Sequence, residues 1–518
     1  MTQGSLGKML VGNVLTTAAI RFPDRESIVC TATGRRFRYR ETNARCNRLA
    51  HGLMSLGLAK GDVVAFLSTN RAEMVEIYFA LAKTGIVGIP INYRLAPAEV
   101  VELMRAMGAV GLICEARFRP VAQQVAQALP AVRRMVAIGD AAPDWAHDYE
   151  ALLERSPGHE PEVAIEESDP YYFNLTSGTT GLPKAYVLTQ FNNSSIGAFM
   201  DGMDLSRRDV VMTVFPMFGR VGFAWTLGAA IFGLKNVLMN FAPAECLALI
   251  EREKVTVVNL VATMGAMLLA EKSLAERDLS SLRAVVYAGS MLPPTVRDQT
   301  IARLCPSLYE YYGMQETGAL VLSTPEDRIA RPDSIGRAVM FAEIRVVDPS
   351  GRAVPAGEVG EICGRSPNTI TAYFDNPAKT AETFRDGWLH TGDLGRLDED
   401  GYLHISGRVK DMIITGGQNV HAAEVEAAIL AYPGVADCAV IGLPDDLWGE
   451  AVSAVVVPAS GAAIDEDALK AWCRERLAGF KTPKRVFAQA DPLPRTPTGK
   501  VQKFLLVERY GEAGATKA

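Results

Sequence analysis

The chain has 518 residues, of which 48% are hydrophobic and 22% charged. That is the profile of a folded globular protein rather than a disordered one, and the length suits about three units of roughly 150 residues each. The net charge of -6 excludes a general nucleic-acid binder, because neutralising a phosphate backbone takes clustered Lys and Arg, so an anionic ligand must meet a local positive site.

The N-terminal stretch "GKMLVGNVLTTAAIRFPDR" lacks the ordered charged, apolar and small-residue blocks of a secretory leader, and it reads as the first helix of the fold. Between Tyr39 and Ile91 helical and strand signals alternate. "YRETNARCNRLAHGLMSLG" has helical spacing and a glycine stop, "DVVAFLS" is strand-like, "RAEMVEIYFALAKTG" is helical, and "IVGIPIN" is a strand again. The same rhythm returns in "AVGLICEA", "KNVLMN", "VTVVNLVA" and "LRAVVYAG", which predicts an α/β architecture with helices on largely parallel sheets. The segment from Gly139 to Asp169, rich in Asp, Glu, Pro and Ala, reads as a surface connection.

"VGFAWTLGAAIFGL", between Arg220 and Lys235, is apolar but shorter than the roughly 18 to 20 residues of a spanning helix, so no integral membrane segment is expected. After Gly336 shorter strands and turns predict a small β-rich subdomain, and from Asp411 onward a compact α+β unit follows. The eight cysteines (Cys30, Cys46, Cys114, Cys246, Cys305, Cys363, Cys438, Cys473) form no CxxC pair and read as buried reduced thiols of a cytoplasmic protein. Six histidines without HExxH or HxH spacing give no transition-metal site.

The stretch that concentrates chemistry is "TSGTTGLPK", Thr176 to Lys184. A Walker A loop needs GxxxxGK[ST] and a helix beginning at its lysine. Here Pro183 precedes the lysine and "KAYVLT" reads as strand, so the order is strand, loop, strand. Backbone N–H groups, the hydroxyls of Thr176, Ser177, Thr179 and Thr180, and the Lys184 charge can still form an anion nest. A flexible Ser/Thr/Gly hairpin is the alternative.

Three further motifs follow in order: "YYGMQETG" (311 to 318), "GWLHTGDLGRLDEDGYLHISGRVKDMIITGGQNV" (387 to 420) and "PRTPTGKVQK" (494 to 503). With "TSGTTGLPK" they resemble the motif set of the acyl- and aryl-CoA synthetases, AMP-forming acid:CoA ligases of the adenylate-forming superfamily. The resemblance covers essentially the whole chain. It implies a large N-terminal α/β domain with a small β-rich subdomain, residues 1–409, and a smaller mobile α+β C-terminal domain, residues 410–518, with a hinge near Lys410.

The resemblance also implies the substrates ATP, CoA and a small-molecule carboxylic acid, with Mg²⁺. Thr176, Ser177, Gly178, Thr179, Thr180, Gly181 and Lys184 would cradle the β- and γ-phosphates, and Tyr312 would lie against adenine. Gly289, Ser290, Glu310, Tyr311, Gly313 and Gln315 would complete the nucleotide site. Glu316 would hold Mg²⁺, Asp393 would accept both ribose hydroxyls, and Arg408 would meet the ribose. Lys500 would bridge carboxylate and α-phosphate. Gly416, Gly417 and Gln418 would meet the pantetheine arm once the C-terminal domain rotates about Lys410. Bland readings stand beside these: turn chemistry for Asp393, a helix-start charge for Glu316, and an exposed loop lysine for Lys500.

Several positions depart from the family pattern. Ala185, Gln190, Gln315 and Gln418 stand where glycine, histidine, threonine and glutamate are common. In "FPMFGRVGF" (215 to 223), Gly219 and Arg220 occupy a region that usually carries histidine. Phe218, Gly219, Arg220 and Ala288 are expected to border the acyl pocket. Arg220 offers a fork for a carboxylate or other polar group on the substrate; the alternative is an arginine that points to solvent or pairs structurally. The expected activity is an AMP-forming acid:CoA ligase. The rivals are an enzyme loading a carrier-protein thiol and a catalytically silent acyl- or nucleotide-binding module. A homodimer is the expected assembly.

Overall fold

A computed structural model describes residues 7–139, 142–176, 184–416, 418–445, 447–459, 462–495 and 501–514. The chain divides into two compact units. One comprises Met1–Pro332, Ala338–Glu343 and Arg365–Leu389, the other Asp333–Arg337, Ile344–Gly364 and His390–Ala518.

The first unit contains two sheets built from the α/β rhythm. In one, Arg134–Ile138, Gly111–Glu115, Val63–Leu67, Val87–Pro90 and Pro170–Thr176 lie side by side in parallel, and Lys184–Thr189 closes the edge antiparallel to Pro170–Thr176. In the other, Glu26–Cys30, Lys235–Leu238, Val210–Thr213, Val257–Leu260, Ala284–Ala288 and Leu308–Met314 are parallel neighbours. Gly318–Ser323 then turns back antiparallel to Leu308–Met314. The parallel strands of these sheets are buried at most positions, as expected where helices cover both faces.

Two helices anchor the interior of this unit. Ala72–Thr84 is a 13-residue helix buried at every position. Arg220–Phe232 is buried from Gly222 to Ala230. They meet where Tyr78 stacks on Phe223, ring centroids 3.9 Å apart, and the Tyr78 hydroxyl donates to the Met217 carbonyl at 2.7 Å. Full burial of Phe223 alone is worth about 1.5–3 kcal/mol over exposure. Gly222 permits this start of the helix, because a Cβ there would lie 2.6 Å from the Pro216 carbonyl oxygen.

The second unit is largely antiparallel. Trp388–Leu397 pairs with Leu403–Arg408, and Met412–Thr415, Gln418–His421, Val435–Asp445 and Gly449–Pro458 form a further sheet backed by helices Ala422–Leu430 and Glu466–Arg474. Position 410 lies inside this unit, in a short 3-10 turn, Val409–Asp411, between strands. The fold thus has the mixed α/β architecture and the smaller α+β C-terminal portion read from the sequence. All eight cysteines are buried, and none forms a disulfide among the described residues. No helix among the described residues is long and apolar enough to cross a membrane.

An ion cluster ties the edge strand Arg36–Arg38 to the helix Pro243–Glu253. Both terminal nitrogens of Arg36 donate to Glu253 at 2.9 Å, and Lys235 Nζ lies 3.0 Å from the same carboxylate. The Arg36 bond lowers the Glu253 carboxyl from 4.5 to about 2. A depressed folded-state value stabilises the fold above the unfolded value and is lost as pH falls through the folded one. The stability difference between the wild type and Glu253→Gln should therefore shrink as pH falls from about 5 to about 2. Thermal unfolding across that range checks it, and a constant difference would contradict the assignment.

Candidate active site

Ala288 ends the last parallel strand but one, and Tyr311 lies opposite it on Leu308–Met314. These are carboxyl ends of parallel strands, where open α/β sheets place their ligand sites. Gly289 and Ser290 continue from Ala288 as a bend, with Gly289 exposed. Tyr312 pairs with Val321 across the hairpin, and the register shifts between Tyr312 and Gly313. At Gly313 a Cβ would collide with the Gly318 carbonyl oxygen, so this bulge admits only glycine. Glu310 is buried, and its carboxylate pairs with Arg328.

The hairpin tip carries Gln315, Glu316 and Thr317. Hairpin tips are ordinarily solvated, yet Glu316 is 7% exposed. The cause is a second segment, 366–373, packed on it. Ile370 N–H donates to the Glu316 carbonyl at 2.8 Å, the Ser366 hydroxyl to the Thr317 carbonyl at 3.1 Å, and the Tyr373 hydroxyl to Glu316 Oε1 at 2.8 Å. The Gln315 carbonyl accepts from the Tyr186 hydroxyl at 2.7 Å and from Arg220 Nη1 at 2.5 Å. Arg220 Nη2 donates to the Asn368 carbonyl, also at 2.5 Å. The Gln315 side chain takes a bond of 3.3 Å from Asn174, on the strand leading toward "TSGTTGLPK".

Arg220 is 2% exposed, and both terminal nitrogens of its fork are spent on main-chain carbonyls. Of its two sequence readings, the internal structural pair is the one these bonds describe. Phe218 sits two residues before it, edge-on to Tyr93 with centroids 5.1 Å apart. Beside Gly219 there is room, since a Cβ would meet only the Pro216 carbonyl oxygen at 3.5 Å. Gln190, where a histidine is common, is fully buried and serves the fold. It accepts from Val11 N–H at 3.1 Å and donates to the Ala82 carbonyl at 3.1 Å.

In the second unit, Asp393 and Arg408 are cross-strand partners, and opposed residues of an antiparallel pair share a face. Arg408 Nε lies 2.9 Å from Asp393 Oδ1, with the carboxylate side chain 8% exposed and the arginine 34%. Thr415 and Gln418 are the last register pair of the hairpin that presents Gly416, and Gly416 and Gln418 are both exposed. Lys410 is exposed. Ser177, Gly178, Thr179, Thr180, Gly181, Gly417 and Lys500 lie outside the described residues. Thr176 and Lys184 are the register-paired ends of the two strands flanking residues 177–183.

Sequence reading missed Tyr373, Asn368, Tyr186 and Asn174 as supports of the Glu316 tip. Tyr373 is 57 residues from Glu316 and Tyr186 is 129 from Gln315, so no local spacing announces them. "NTITAYFDNP", which carries Asn368 and Tyr373, lies in the region of short strands and turns after Gly336 and holds none of the four motifs.

The profile of the AMP-binding enzyme family matches residues 15–374, and that of the AMP-binding enzyme C-terminal domain matches residues 424–500. A feruloyl-CoA synthase from an Amycolatopsis species is 37% identical over 483 residues, 91% of this chain and 94% of that protein. The long-chain-fatty-acid–CoA ligase FadD13 of Mycobacterium tuberculosis is 34% identical over 504 residues, 96% of this chain and 98% of the relative. Among solved structures, ATP-bound MatB from Rhodopseudomonas palustris superposes with a TM-score of 0.88 at 31% identity, covering 97% of this chain and 99% of that one.

Removing the Tyr373 hydroxyl leaves one oxygen of a buried carboxylate without its donor. A hydrogen bond to a charged group is worth about 1.5–3 kcal/mol, so Tyr373→Phe should lower the urea midpoint by that equivalent at unchanged slope. An unshifted midpoint would mean that this bond does not hold the tip.

Proposed function

The chain belongs to the AMP-binding enzyme family of the adenylate-forming superfamily, and from that membership we propose how its residues divide the work. The protein is an AMP-forming carboxylic acid:CoA ligase. A carboxylate oxygen attacks the α-phosphorus of ATP, the bond to pyrophosphate breaks, and an acyl-adenylate forms. The CoA thiol then attacks the acyl carbon, releasing AMP and a proton and leaving the thioester. The observation that carries this conclusion is the joint match of the large and the C-terminal family profiles, in order, on one chain.

Negative charge accumulates around phosphorus in the first step, so fixed cations and donors contribute most. Residues Thr176 to Lys184 would cradle the β- and γ-phosphates through backbone N–H groups, hydroxyls and the lysine charge. Glu316 is the residue that would hold Mg²⁺. Its fit rests on an oxygen-only donor, the ligand type that ion takes, steadied at Oε1 by Tyr373. When bound, Mg²⁺ would supply charge neutralisation at the phosphates. Tyr312 would offer its ring to adenine, with Gly289, Ser290, Glu310, Tyr311, Gly313 and Gln315 around the nucleotide.

Asp393 is an acceptor-only carboxylate suited to two ribose hydroxyls, oriented by Arg408. Lys500 would bridge the acid's carboxylate and the α-phosphate during adenylation. For the second step Gly416, Gly417 and Gln418 would replace it, as residues 410–518 turn about Lys410 against residues 1–409. Phe218, Gly219 and Ala288 would border the acid, and the room beside Gly219 supports an acid bulkier than a histidine at that position would admit. The partner is a small-molecule carboxylic acid rather than a nucleic acid, and a cytoplasmic homodimer is the proposed form.

Incubation with ATP, Mg²⁺ and a panel of aryl, fatty, alicyclic and dicarboxylic acids should yield AMP and, with CoA, acyl-CoA by mass spectrometry. Acyl transfer only to a carrier-protein thiol, or no turnover with any acid, would replace the assignment. Lys500→Ala should lower adenylation by on the order of 10², while thioester formation from supplied acyl-adenylate is largely retained. Unchanged adenylation would remove Lys500 from its role.

A further inference from the structure

Arg220 is a cation at the first position of a helix, where the macrodipole already favours negative charge. It is 2% exposed, its Nε has no hydrogen-bond partner among the described residues, and its terminal nitrogens meet two neutral carbonyls. Burying a cation in this way is costly unless something offsets it. Its placement suggests what does. One carbonyl belongs to Gln315, next to Glu316, and the other to Asn368, inside the segment that covers Glu316.

Among the described residues, the hydrogen bonds that join the two segments directly are single ones from Ile370, Ser366 and Tyr373. Asn192 and Asn368 side chains tie the covering segment to the helix Gln190–Ser194. Asn192 donates to the Pro367 carbonyl at 2.8 Å, and Asn368 donates to the Asn192 carbonyl at 2.9 Å. Arg220 bonds both segments with one rigid, planar group, and it is itself fixed by a helix packed on the buried Ala72–Thr84 helix through Phe223 and Tyr78. A guanidinium suits this bridging because its donors diverge at fixed angles, which an ammonium cannot reproduce.

We propose that Arg220 is a positioning residue for adenylation: it staples the Gln315 and Asn368 main chains together and so sets where the Glu316 carboxylate stands. This rests on the reading of Glu316 as the Mg²⁺ holder. It also assigns the "FGRVG" departure to the nucleotide side of the reaction rather than to recognition of the acid. The Tyr186 hydroxyl donates to the same Gln315 carbonyl at 2.7 Å.

The test compares wild type, Arg220→Met, Arg220→Lys, Tyr186→Phe and Glu316→Gln. Three quantities are read: the Mg²⁺ concentration for half-maximal ATP–pyrophosphate exchange, Mn²⁺ binding in the presence of ATP by electron paramagnetic resonance, and the ratio of rates across the acid panel. Loss of a group that orients a metal ligand typically costs about ten- to a hundredfold in affinity. Arg220→Met should weaken Mg²⁺ dependence and Mn²⁺ binding by that order, Arg220→Lys and Tyr186→Phe by less, all with the acid ratios unchanged. Should Arg220→Met fail to fold, the Lys and Tyr186 variants carry the same comparison.

Wild-type metal dependence in these variants, or altered acid ratios with metal binding unchanged, would overturn the proposal. Glu316→Gln separates the premise from the proposal. If it leaves metal dependence at the wild-type level, the Glu316 reading itself falls. If it alone shifts metal dependence, Arg220 is not the staple.

Discussion

A carboxylate at the tip of a hairpin belongs in water, and here one is taken out of it. Glu316 stands where the strands Leu308–Met314 and Gly318–Ser323 reverse, yet it is buried beneath the segment running from Ser366 to Tyr373. Burying a charge is costly unless hydrogen bonds replace its hydration. Tyr373 donates to the carboxylate itself, while Ile370 bonds the Glu316 main-chain carbonyl and Tyr186 and Arg220 the carbonyl before it, so that groups from far along the chain hold the tip in place. The helices, the covering segment and the bulge at Gly313 are arranged so that these bonds can form.

That constraint accounts for features that look unrelated. Gly313 must be glycine because the Gly318 carbonyl approaches where a Cβ would be. Gly222 must be small because the helix carrying Arg220 begins against the Pro216 carbonyl. The stacking of Tyr78 on Phe223 touches no residue of the tip, but it fixes the helix whose first residue is the cation. A side chain bonded through rigid neighbours in this way is held against relaxation when charge nearby changes.

The Asp393–Arg408 pair follows a different economy. Its geometry is local, two opposed residues on adjoining strands within one hairpin, so little beyond correct register is needed to assemble it. A one-residue slip of either strand would turn its member of the pair to the other face and separate the two. The bulge between Leu394 and Gly395 makes the register on the Asp393 side of the hairpin a specific one.

The alternation of strand and helix was legible in the chain because periodicity and glycine stops act over a few residues: "DVVAFLS" contains the strand Val63–Leu67 and "RAEMVEIYFALAKTG" the helix Ala72–Thr84. The family and its reaction were legible as well, since four motifs in order are a property of the chain as a string. The use of Arg220 was not. From "FGRVG" alone its fork could face a substrate or the protein interior, and the choice was made by carbonyls 95 and 148 residues away. Tyr373 carried no signal, because a tyrosine in a loop acquires a role only when the fold brings a carboxylate to its hydroxyl. By itself the sequence determined which chemical groups the protein owns and in what order. The tertiary structure decided which of them hold one another, because hydrogen bonds depend on distances in space that residue spacing does not encode.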